Sequence, residues 1–166
     1  MTNANQVMEI RNTEELDTEI RNVLRDDVTD EELDLMLVMI QRNIQSLAYR
    51  FKNSYDKYLF DNREKLQAND MEWYRTIQYI TDVVLSAECH SILDYVGEFI
   101  NRKGASPNIY MMYYGNAKPD FNALSEQDKI VVRARELYRR LIEYFTLCEQ
   151  LKRIEYVIND GTKASE

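Results

Sequence analysis

Residues 30–58 read DEELDLMLVMIQRNIQSLAYRFKNSYDKY, and their apolar spacing decides the fold. Leu33, Leu37, Ile40, Ile44, Leu47, Phe51 and Tyr58 recur at alternating steps of four and three, interrupted only at Ser54. That period is a helical seam, the kind that packs helix against helix. Thr29 and Glu32 have the spacing of a capping box, and Asp30 and Glu31 place negative charge at the positive end of the helix dipole. The pattern predicts a helix beginning after Thr29 and running to about Leu66, with a break near Asp61 and Asn62. Leu35, Met36, Val38 and Met39 are apolar as well. The start of this helix is therefore either the most buried part of the fold or an interface through which copies of the chain form a homo-oligomer.

The same periodicity extends in both directions. Asn12 and Glu15 cap a predicted helix from Thr13 to Arg25, with Leu16, Ile20, Val23 and Leu24 as its stripe. Downstream, Asn69 and Glu72 mark a third start. Trp73, Ile77, Ile80, Val84, Ala87, Leu93, Val96 and Ile100 then predict one long helix ending at Arg102, Lys103 and Gly104. Gly97 weakens that helix and suggests a close helix contact or a bend. Residues 104–124 hold both prolines and two of the four glycines, so they read as one long connection. A last helix follows Ser125 and runs to about Asn159, with Ile130, Ala134, Leu137, Leu141, Phe145, Cys148, Leu151 and Ile154 on its core face. No stretch alternates apolar and polar residues. The expectation is all-α: an antiparallel bundle of about four helices, three long and one short at the N-terminus, with one long aromatic-rich loop. Residues 13–160 read as a single domain, flanked by a flexible segment at 1–12 and a flexible tail at 161–166.

Charge is unevenly spread along the 166 residues. Residues 1–34 contain eleven acids and three bases, which is the whole net charge of −8; the rest of the chain balances at eighteen of each. An acidic first fifth is a solvated surface, an arm that docks on a basic partner, or a segment that folds over the protein's own basic face. The first residues show neither a basic start before an apolar core nor an Arg-rich amphipathic pattern. The longest apolar run, LMLVMI at 35–40, falls far short of the roughly 18 to 20 residues of a membrane span. A cytoplasmic protein with no membrane span is expected.

Chemistry-bearing motifs are few in this chain, which narrows the function classes. The four glycines are isolated, so there is no phosphate-cradling loop and no nucleophile elbow. His90 is the single histidine, whereas a bundle di-iron site needs Glu-x-x-His on two helices. Cys89 and Cys148 are too few for a structural zinc site, and they fall on or near apolar stripes where a thiol is a small buried hydrophobe. The reading is of no catalytic residue, no metal and no cofactor, with His90 partly buried and hydrogen-bonded to a neighbour.

Two surfaces remain as candidates. In the 104–124 connection, Tyr110, Met111, Met112, Tyr113, Tyr114 and Phe121 put large groups where loops are normally polar; they form a lid over the core or a docking surface. Tyr49, Tyr55 and Tyr58 would extend it. Glu14, Glu15, Asp17 and Glu19 on the first helix would steer toward a basic surface of another protein. The last helix carries Arg133, Arg135, Arg139 and Arg140 in two adjacent lines, a phosphate-binding face in the alternative where the partner is nucleic acid. In a further alternative the acidic N-terminal region imitates a polyanion and occupies a nucleic-acid-binding protein. The favoured expectation is a non-catalytic protein-protein interaction module: an adaptor, an inhibitor or regulator, or a subunit of a larger assembly.

Overall fold

A computed structural model describes residues 10, 12–115 and 119–159. Among them there is no strand, and the all-α class expected from the periodicity is what forms. Seven helices follow in order: α1 (Thr13–Val23), α2 (Asp30–Asp61), α3 (Arg63–Gln67), α4 (Met71–Thr81), α5 (Ala87–Lys103), α6 (Pro107–Tyr114) and α7 (Glu126–Asn159), with a 3-10 turn at Phe121–Ala123. Most of the expected 1–12 segment and the whole 161–166 tail lie outside the described residues.

The chain divides into two compact units, one drawn from residues 1–43 and 86–142 and the other from 44–85 and 143–166. In the first, Asn12 caps α1 as expected, its side chain accepting from the Glu15 N–H at 2.7 Å. Just upstream, the Ile10 N–H donates to Asn43 Oδ1 at 3.1 Å. Leu16 and Ile20 are buried where α1 packs on α5, which contributes Ile92, Leu93, Val96 and Phe99 to the core. Thr29 accepts from the Glu32 N–H and its hydroxyl donates to Glu32 Oε1, so Thr29 caps α2 as expected. Leu33, Met36, Leu37 and Ile40 of α2 and Ile130, Val131, Ala134, Leu137 and Leu141 of α7 complete this core. Leu35 and Val38 stay exposed, so the apolar start of α2 is covered on one side only.

In the second unit, Leu47, Phe51, Tyr55 and Tyr58 of α2 pack with Ile80 of α4 and Leu151, Ile154 and Val157 of α7. The break anticipated near Asp61 and Asn62 is present, and α3 follows it. Asn69 is not the cap of the next helix. It adopts φ +53°, and the Asp70 N–H to Lys65 C=O and Asn69 N–H to Leu66 C=O bonds close the end of α3 around it. The cap is Asp70, which accepts from the Trp73 N–H at 3.0 Å.

The expected single helix over 70–103 is two helices. It stops at Thr81 and restarts at Ala87, because consecutive valines at 83 and 84 resist helix and Ser86 offers a new N-cap, accepting from the Cys89 N–H at 3.3 Å. Side chains from α7 take over the orphaned carbonyls at the end of α4. Gln150 Nε2 donates to Thr81 O at 3.0 Å, and Arg153 Nη1 donates to Tyr79 O at 2.6 Å. Gly104 ends α5 at φ +77°, as the sequence suggested.

Candidate docking surface around α6

The stretch expected to be a long aromatic loop contains a helix. Ser106 caps it, accepting from the Ile109 N–H at 3.3 Å, and Pro107 sits at its first position, where a missing N–H has no consequence. Gly115 ends it because a side chain there would come within 2.7 Å of Met111 O. The Ser106 hydroxyl also donates to Asp128 Oδ2 at 2.9 Å, so one side chain caps α6 and ties it to the first turn of α7. Asp128 is itself buried.

This helix buries one residue fully. Ile109 is 1% exposed, Met112 is half-buried, and Tyr110, Met111, Tyr113 and Tyr114 are 62%, 41%, 40% and 70% exposed. The rings of Tyr110 and Tyr114, one turn apart, pair with centroids 5.1 Å from each other. Phe121 lies outside α6, in the 3-10 turn. It is half-buried with the Arg133 guanidinium 4.4 Å from its ring centroid. In the second unit, Tyr55 and Tyr58 pack into the core cluster, and Tyr49 is exposed.

The basic line on α7 is largely neutralised. Arg133 pairs with Asp30 at 2.9 Å and Asp34 at 3.3 Å. Arg139 and Arg140 both reach Glu136 Oε1, at 2.6 and 2.8 Å. The Arg139 hydrogen bond, more than its charge or that of Arg140, holds the Glu136 carboxyl below its ordinary range against the opposing effect of burial. Arg135 differs. Among the described residues it pairs with no carboxylate; its guanidinium stands 4.8 Å from the Tyr113 ring centroid, and its Nε is buried without a hydrogen-bond partner.

The acidic region is partly tied down too. Asp17 pairs with Arg21 at 2.7 Å, while Glu14 is exposed and Glu15 and Glu19 are half-buried. Arg25 bridges Glu32 and Asp27, and the bond to Arg25 lowers the Glu32 carboxyl. Asp30 and Asp34, at the start of α2, both pair with Arg133 of α7.

His90 is exposed rather than partly buried, in a shallow cleft with Arg21, Asp94 and Tyr95. Among the described residues no three side chains of metal-binding type converge. Neither cysteine is in a disulfide; both are half-buried. No described helix is long and apolar enough to cross a membrane. Sequence reasoning missed a cleft of about 1080 Å³ in the second unit, lined by Tyr58, Trp73, Tyr79 and Tyr156 with Lys57, Asp61 and Lys65. Burial there raises the Tyr58 hydroxyl pKa. Its residues come from four separate helices, so no local spacing marks it. The chain matches no protein-family model, no curated protein and no solved structure.

Proposed function

We propose that this protein is a non-catalytic interaction module that docks another protein through α6, serving as an adaptor, a regulator or a subunit of a larger assembly in the cytoplasm. One observation carries the reading: α6 is anchored by Ile109 and Ser106 yet exposes Tyr110, Met111, Tyr113 and Tyr114. A lid would turn those groups inward. Tyrosine gives amphipathic contact area at low entropic cost, methionine adapts to the partner, and a preformed helix avoids ordering cost on binding. Exposed Glu14 on α1 would favour encounter with a basic surface. Two cysteines outside any disulfide suit a reducing compartment. The nucleic-acid alternative is weakened by the ion pairs of Arg133, Arg139 and Arg140, three of the four arginines that would hold phosphates.

Capture from native lysate tests this, with the wild type compared to a Tyr110→Ala/Tyr114→Ala variant, each with nuclease. The expected result is a nuclease-resistant protein held by the wild type and lost by the variant. Retained nucleic acid, or the same proteins on both baits, would overturn it.

A further inference from the structure

Beside α6, a groove of about 350 Å³ is lined by Gly97, Ile100 and Asn101 of α5, Tyr113 of α6, and Arg135 and Tyr138 of α7. Its floor is open at Gly97, where an added methyl group would meet only Tyr138 Cε2, at 4.0 Å. The cation in it differs from the other arginines of α7. Arg133, Arg139, Arg140 and Arg153 of α7 all hold carboxylates, in a protein where Asp and Glu outnumber Lys and Arg by 29 to 21. Arg135 alone among the α7 arginines holds none among the described residues. Its guanidinium stands over the Tyr113 ring, and its Nε is a buried donor with no acceptor.

We infer that this groove receives an acidic side chain of the docked protein, an Asp or Glu carboxylate on Arg135 with its stem against Tyr113 and Tyr138. The inference rests on the α6 docking reading and names the chemistry of the partner at that site. A guanidinium is a planar fork that matches a carboxylate, and hydrogen bonds between two ionised groups are stronger than those between neutral ones. Burial raises the Tyr113 hydroxyl pKa despite the opposing charge of Arg135, so the hydroxyl stays protonated and can donate a second bond. A nucleic-acid strand fits less well, because it needs several open cations in a row and this groove offers one.

The test is an NMR titration of the full chain with N-acetyl-Leu-Glu-Leu-amide, its Gln counterpart and a decathymidylate strand. The Glu peptide is expected to shift the Gly97 and Asn101 amides and the Arg135 Nε–H, binding about tenfold tighter than the Gln peptide. Arg135→Gln should remove that preference. Gly97→Met, which fills the groove and keeps the charge, should remove binding altogether, and Arg139→Gln should change neither. Equal binding of the two peptides, no shift with the Glu peptide, an unaltered response in Arg135→Gln, or preference for decathymidylate would overturn the inference. If the peptide test fails while Tyr110→Ala/Tyr114→Ala still loses the captured protein, the α6 reading stands without the carboxylate. If the peptide binds as expected and the captured protein survives that double substitution, the groove stands and the α6 reading falls.

Discussion

Ser106 Oγ donates to Asp128 Oδ2 at 2.9 Å while accepting the Ile109 N–H at 3.3 Å, so a single hydroxyl both starts α6 and fixes it to α7. The Asp128 N–H is in turn held by Ser125 Oγ at 3.2 Å. An exposed aromatic helix needs such an anchor, because its outward face contributes nothing to holding it in place.

Ser106→Ala removes the cap and takes a donor from a buried carboxylate. The expected loss is about 1 to 3 kcal/mol, measured by urea denaturation. Hydrogen exchange should show the amides of residues 109–114 losing protection before those of α5 or α7. Unchanged protection in α6 would mean that Ile109 alone holds it.

The arginines of α7 should differ sharply in what they contribute. Arg133 is 28% exposed and faces Asp30, which is 17% exposed, so Arg133→Ala leaves a half-buried acid unpaired. A cost of about 1 to 3 kcal/mol is expected. Arg139 is 70% exposed on its pair with Glu136, and Arg139→Ala should cost about 0.5 kcal/mol or less. Equal losses in urea midpoint would contradict this ranking.

Gln150 and Arg153 act as caps supplied from another helix. Replacing both with methionine keeps most of their bulk but leaves the Tyr79 and Thr81 carbonyls without these donors. Destabilisation by roughly 1 to 3 kcal/mol is expected, with exchange fastest at the end of α4. Protection confined to its native level there would contradict the capping role.

Acid should reveal the Glu136 cluster. Its folded pKa is depressed below the ordinary 4.5, chiefly by Arg139, so its stabilising contribution is fully present above that ordinary value and is lost as pH falls through the folded value. Glu136→Gln has no carboxylate to protonate. Its stability should therefore decline less steeply than the wild type's below about pH 4.5. Parallel pH profiles would show that the pairs with Arg139 and Arg140 contribute nothing measurable.

What the sequence disclosed was local. The caps at Asn12 and Thr29, the seam of α2, its break beside Asn62 and the glycine stop at Gly104 each depend on residues within one or two turns of one another. The division at 82–86 was legible only in Ser86 followed by Glu88, a weak start signal hidden within a continuous apolar stripe. The helix α6 escaped detection because Ile109, Tyr110, Met111, Met112, Tyr113 and Tyr114 are apolar on every side, and Pro107 and Gly115 read as loop punctuation. The fate of the charges was not legible at all. Arg133 and Asp30 are 103 residues apart. Spacing along α7 displays four arginines alike, and only the fold separates the three that are paired from Arg135, which lies over Tyr113.

The most direct measurement places a photo-crosslinking amino acid at Tyr110, at Tyr114 and, as a control, at exposed Glu64 on α3 in the living cell. The same protein is expected to be trapped from both α6 positions and not from residue 64. Crosslinks to nucleic acid, the same adduct from residue 64, or no adduct from either tyrosine position would contradict it.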